Sequence, residues 1–170
     1  MNRKDIPYTI AETLILWIIG GLVYLLIELL YRGRTHWTMG IVGGLCFVLI
    51  GLINERHTKE KYLAIESQAV LGAAVVTLVE LLSGIVINRI LGWNVWDYSN
   101  IPHNVLGQIC LPFTIAWIFV AEAAIVLDDF LRHVLFMEPF PTYWFLFSGR
   151  TINVFSLWEK HVCKNRHKPN

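Results

Sequence analysis

The chain has 170 residues, of which 55% are apolar and 16% charged, with a formal net charge of +1 and a mean hydropathy of +0.52. Soluble domains average about 25% charged residues, so the composition argues for a membrane protein, and a net charge this close to zero gives no basis for nucleic-acid binding. Cys46, Cys110 and Cys163 show neither paired spacing nor a zinc pattern; the first two read as small packing residues in apolar blocks and the third as a reduced thiol in a basic tail.

Arg3 and Lys4 precede an apolar run, as in a secretory signal. That run is too long and lacks a small-residue cleavage site, so it reads as a retained first membrane helix. A span needs about 20 predominantly apolar residues, and four segments meet this: 11–31, a short one at 37–53, 68–91 and 104–127. The expected fold class is all-α: a polytopic membrane protein with four transmembrane helices arranged as two tandem helical hairpins, 11–53 and 68–127, within a domain of residues 1–129. The linker 54–67 carries Glu55, Arg56, His57, Lys59, Glu60 and Lys61 and is expected to be a solvated turn or a helix end projecting into water. Asp128 and Asp129 end the last apolar run. The aromatic segment 130–158 is interrupted by Arg132, His133, Glu138, Pro139 and Pro141, and is expected to form a C-terminal interfacial helix with Tyr143, Trp144 and Trp158 at headgroup level. It belongs to a C-terminal segment of 130–170 that ends in a basic tail.

Lys and Arg placement orients the bundle. With the N-terminus in the cytosol, eleven basic residues lie inside and three (Arg32, Arg34 and Arg89) outside, so both termini are expected to be cytosolic in a bacterial cell membrane. An internal repeat is also expected: 26–30 (LIELL) matches 78–82 (LVELL), and 43–47 resembles 107–111, as in two hairpins of like orientation.

A charged carboxylate in the middle of a span is costly unless it is paired or protonated. Glu80 occupies such a position, and Thr77, Gly84 and Asn88 share its helix face, which should look into the bundle as an ion, proton or substrate contact or as a structural carboxyl. Glu28, its counterpart in the repeat, heads a stripe with Gly20, Tyr24 and Arg32, and the Glu-to-Arg spacing of four favours a helical ion pair. Glu12 and Glu122, near the inner ends of their helices, are explained by snorkelling.

The two outer connections together carry Arg32, Arg34 and His36 on one side and Asp97, Tyr98, Asn100, His103, Asn104 and Gln108 on the other. Paired guanidinium groups suit a phosphate or carboxylate. Read blandly, Asn100 or Asn104 caps the fourth helix and Trp37, Trp93 and Trp96 are belt residues. No spacing rule supports metal binding by His36, His103 and Asp97. No nucleophile, P-loop or dinucleotide motif occurs, so neither a catalytic residue nor a cofactor is assigned. Gly40, Gly44 and Gly51 let the second helix approach a neighbour closely, in this chain or another, and Pro112 inside the fourth helix should kink it by freeing the carbonyl of Gln108.

The run Trp96-Asp97-Tyr98-Ser99-Asn100, followed by Pro102, Asn104, Gly107, Ile109-Cys110 and Trp117, resembles a bacterial membrane family, the CmpB-like ABC-transporter type IV proteins. Glu28, Tyr31-Arg32-Gly33, His36-Trp37, Met39 and Gly43-Gly44 resemble it as well. The likeness covers about 14–117 and departs at His103, where the family pattern has an aromatic residue. It implies transport, and since no nucleotide-binding motif occurs, the chain would be the membrane part of such a transporter. Three functions are therefore weighed: transport or permeation in a homo-oligomer or with a partner membrane subunit, an enzyme acting on a lipid headgroup, and a non-catalytic assembly protein.

Overall fold

The computed structural model describes residues 10–60, 63–139 and 141–153, with side chains in the second helix described as far as Glu55. Helix α1 spans Ile10–Arg32, α2 Trp37–Glu60, α3 Ile65–Gly84 and α4 Leu111–Phe136. All four are long and apolar enough to cross a membrane, α3 counting as Ile65–Ile90 with the π-helical turn Ile85–Ile90 that continues it. Successive helices alternate in direction. The α1–α2 and α3–α4 connections therefore share one end of the bundle (the loop end), and α1 begins and α4 finishes at the other.

Small residues bring the first two helices together. A Cβ on Gly21 would strike the carbonyl oxygen of Gly40, one on Gly44 the carbonyl of Trp17, and one on Gly43 the ring of Tyr24. The neighbour served by the glycine stripe of α2 is thus α1 of the same chain, while Gly51 further along faces α4, where an added Cβ would lie 2.8 Å from Asp128 Oδ2. α3 packs on α4 through Gly72 against Ala121 and Thr77 against Thr114. The main core gathers Cys46, Ile50, Ile65, Val76, Ala121, Ile125 and Tyr143 from α2, α3, α4 and the C-terminal hairpin. Both described cysteines, Cys46 and Cys110, are buried.

The structure revises several boundaries read from the sequence. Residues 104–110 are not helical: β1 (Asn104–Val105) and β2 (Ile109–Cys110) form a short antiparallel pair. His103, Leu106 and Gly107 have φ of +57°, +55° and +68°, values that an α-helix cannot contain. Asn104 caps no helix; Cys110 precedes α4, and Pro112 falls in its first turn. There a missing N–H costs nothing, so no kink follows from Pro112. The carbonyl of Gln108 instead accepts a hydrogen bond from Trp96 Nε1 at 3.0 Å.

At its other end α4 runs past Asp128 and Asp129 to Phe136, and both aspartates are fully buried. Apolarity ends there but helical periodicity does not. Arg132 lies one turn after Asp128 and pairs with it at 2.7 Å, while Asp129 Oδ2 accepts hydrogen bonds from Asn54 Nδ2 at 2.8 Å and Tyr143 Oη at 2.7 Å. The aromatic C-terminal stretch begins as the last turns of α4 and, beyond Phe136, forms a hairpin, β3 (Tyr143–Phe145) with β4 (Arg150–Ile152), so Tyr143 and Trp144 stand on a strand. Its turn is tied to the start of α3 by Leu146 N donating to Glu66 at 3.0 Å. Trp158, Cys163 and the basic tail lie outside the described residues.

The close α1–α2 approach has a direct consequence. Gly44→Leu should destabilise the fold by about 1–3 kcal/mol through overpacking, read as a lowered thermal midpoint in detergent, whereas Leu45→Ala on the exposed face should change it little.

Candidate functional site

The loop end is built around one polar residue in α3 and another in its π-helical turn. Glu80 is buried, 4% exposed. Its Oε1 accepts from Tyr98 Oη at 3.1 Å and its Oε2 from Trp117 Nε1 at 3.0 Å. Both partners are neutral donors, one from the α3–α4 connection and one from α4. Two turns along the same face, Asn88 donates through Nδ2 to Gln108 Oε1 at 2.8 Å and to the Trp96 carbonyl at 3.0 Å, and its Oδ1 accepts from Val95 N at 2.7 Å. Gly84 lies between them, where a Cβ would meet Gln108 and Trp96. Asn88 sits in the π-helical turn, where an extra residue is accommodated in the helix, and it binds three points of the following connection. The stripe of Glu80, Gly84 and Asn88 thus faces inward, as the sequence spacing predicts.

Glu28 is buried on α1 and holds two partners: Arg32 Nη1 at 2.7 Å and the hydroxyl of Thr35. Arg32 also donates through Nη2 to the Val95 carbonyl at 3.3 Å, joining the two connections. Glu28, Arg32, Arg34, Thr35 and His36 border a recess of about 190 Å³ with Trp93 and Asn94. His36 packs against both Trp37 and Trp93, with centroids 5.5 and 5.6 Å away, and shares a hydrogen bond with Thr38 Oγ1 at 2.8 Å.

The remaining sequence candidates serve the connection itself. Asp97 Oδ1 accepts from Ser99 N at 2.8 Å and Ser99 Oγ at 2.5 Å. Asn104 donates to the carbonyls of Ser99 and Ile101 and accepts from Gly107 N at 3.1 Å. Gln108 donates back to the Leu106 carbonyl at 3.1 Å. Asn100 and His103 are exposed on the turns. Among the described residues, no three His, Cys, Asp or Glu side chains converge to hold a metal ion.

A second recess runs between α1 and α4. Near the loop end it measures about 260 Å³ and is bordered by Tyr24, Glu28, Arg32, Tyr98, Phe113 and Trp117. Deeper in the bundle an apolar pocket of about 130 Å³ shares Tyr24, Ile27, Trp117 and Val120 with it. Tyr24 stacks on Trp117 at 6.0 Å and Tyr98 on Phe113 at 4.9 Å. Glu80 therefore lies directly behind the aromatic wall of this cleft, and Glu28 and Arg32 belong to both recesses.

Sequence reasoning missed Trp117 as a partner of Glu80, since the pairing spans 37 residues and leaves no local spacing. It also missed the buried group of Asn54, Asp128, Asp129, Arg132 and Tyr143. There a signal was present: Asp128 and Arg132 are four residues apart and so share a helix face.

Trp117→Phe keeps the ring but removes the N–H, leaving Glu80 Oε2 short of its donor. A buried unsatisfied acceptor costs about 1–3 kcal/mol, to be seen as a lower unfolding midpoint, while Trp93→Phe at the exposed rim should have little effect. Tyr98, between burial and the Glu80 carboxyl, has its phenol pushed well above the usual range and remains a donor at any physiological pH. Asp97 is held below the usual carboxylate range by the hydroxyl and amide of Ser99. A depressed folded pKa lends stability above the unfolded value and loses it as pH falls through the folded one. The exchange protection factor of the Ser99 amide should therefore stay level from neutral pH down to about 4 and drop on further acidification.

No curated protein and no solved structure matches the chain. A family model described as "Putative ABC-transporter type IV" matches residues 14–157, reaching well past the stretch in which the likeness is visible by motif. The match takes in all four helices, both recesses and the hairpin, and it covers most of the chain: this membrane protein belongs to the ABC-transporter type IV family.

Proposed function

We propose that the chain is a transport or permeation subunit whose working face is the α1–α4 cleft and the recess beside it, with Glu80 as the intramembrane polar contact and Glu28, Arg32, Arg34 and His36 at the outer mouth. The observation that carries this reading is the setting of Glu80: among the described residues, this buried carboxyl is hydrogen-bonded by two neutral donors, Tyr98 and Trp117, which themselves line the cleft. A carboxyl kept solely for stability is more economically served by a cation on a neighbouring helix, as Glu28 is by Arg32. Neutral donors leave its charge available to a passing cation or proton.

In this reading the loop end faces outward and both termini are cytosolic in a bacterial cell membrane, following the placement of Lys and Arg. Four helices are few for alternating access, so the working unit is a homo-oligomer or includes a partner membrane subunit. Asn88 and Gln108 position the connection, and Asp97, Asn100, His103 and Asn104 shape its outer turns. One observation favours a second reading, an assembly protein: Asp97, Asn104 and Gln108 have hydrogen-bond partners within the connection itself.

Purified protein reconstituted in vesicles should carry an ion or proton flux that Glu80→Gln lowers by about tenfold or more, the change expected from losing one charge-assisted contact. Unchanged flux in that variant would remove Glu80 from the mechanism, and the absence of flux together with a tightly co-purifying partner would favour the assembly reading.

A further inference from the structure

The cleft between α1 and α4 has the shape and polarity of a lipid site. Its apolar part extends from Gly20 to Ile27 on α1 and from Trp117 to Leu127 on α4, and its polar end is the Glu28–Arg32 pair. From Gly20 to Arg32 the α1 axis covers about 18 Å, close to the roughly 15 Å of hydrocarbon in one bilayer leaflet. The cleft opens sideways, for Ile27, Val120 and Tyr31 on its border are 45%, 36% and 73% exposed. At the polar end the adjoining recess brings two guanidinium groups, Arg32 and Arg34, to a single carboxylate, Glu28. Arg32 is paired with Glu28, whereas Arg34 is exposed on the border of this recess, and guanidinium forks suit phosphate oxygens.

We propose that this cleft binds one anionic phospholipid from the adjacent leaflet, its phosphate at Arg32 and Arg34 and an acyl chain along Ile27, Trp117 and Val120. The proposal rests on the transport reading in taking this cleft as the ligand-bearing face, and it names the ligand class. Tyr24 and Trp117, stacked on each other, form the wall against which the chain lies. Glu80 stays behind that wall, bonded to Trp117 and Tyr98, so the lipid and the buried carboxyl share two side chains.

The test uses the full chain in phosphatidylcholine vesicles doped with phosphatidylglycerol bearing a photoactivatable diazirine on its acyl chain, or with the matching phosphatidylcholine probe, and maps the adducts by peptide mass spectrometry. Phosphatidylglycerol adducts should concentrate on Ile27, Trp117 and Val120 about tenfold over Leu78 and Leu82, which are exposed on α3, the contrast expected from one charge-assisted contact. Arg34→Gln, at an exposed position, should remove most of that preference. Val120→Trp should block the labelling by filling the cleft, and Ala116→Leu does the same should the larger ring prevent folding.

Even labelling of all outward faces, equal labelling by the two headgroups, competition by inorganic phosphate, or chain-to-chain cross-links at Ile27 and Val120 would each overturn the lipid site. Concentrated labelling in vesicles that show no ion or proton flux would keep the lipid and discard the transport reading. Flux that depends on Glu80 without concentrated labelling would do the reverse.

Discussion

Everything at the loop end depends on the need to satisfy polar groups buried among apolar helices. Glu80 is the costliest of them, and its two oxygens are met by donors from different parts of the chain, Tyr98 on the connection and Trp117 on α4. Those two bonds fix the connection over the bundle and set the rotation of α4 against α3. Because Tyr98 and Trp117 also face the α1–α4 cleft, anything occupying the cleft touches the groups that hold the carboxyl.

The connection itself behaves as a folded unit. Asn88, at the π-helical end of α3, binds Val95, Trp96 and Gln108, while Arg32 reaches Val95 from α1. Asn104 and Asp97 then close the turns, helped by Gly107, where a Cβ would run into Ser99 and Asp97. Much of the polar character that marks this stretch in the sequence is consumed in holding it in shape. Asn100 and His103 on this connection and Arg34 on the other remain exposed.

The opposite end shows the same physics in a place where the sequence looks merely polar. Asp129 is held by Asn54 of α2 and Tyr143 of the hairpin, and Asp128 by Arg132, which also lies 3.6 Å from Glu138. Gly51 leaves room on α2 for Asp128 to sit against it. A charged network of this kind is a weaker source of net stability than an apolar core of equal volume, but it ties three elements to one another and gives the hairpin a single seat on the bundle.

Local patterns in the chain were sufficient for whatever depends on local patterns. Hydropathy over windows of span length reveals four membrane helices. An acid in an apolar run must turn inward, which places Glu80 and Asn88; a Glu four residues before an Arg on one helix makes the Glu28–Arg32 pair; glycines four apart mark the face of α2 that packs closely. Tertiary structure alone decided which groups meet across the bundle. That Glu80 is answered by Trp117, that α4 begins at Leu111 and continues through two buried aspartates, and that Gly51 faces Asp128 all depend on the register between helices, and no periodicity within one helix encodes the register of its neighbour. The boundary of α4 went unread for the same reason: residues 104–110 are apolar enough to extend a helix, and the backbone turns at His103, Leu106 and Gly107 that forbid it are held in place by side chains from the rest of the connection and from α3.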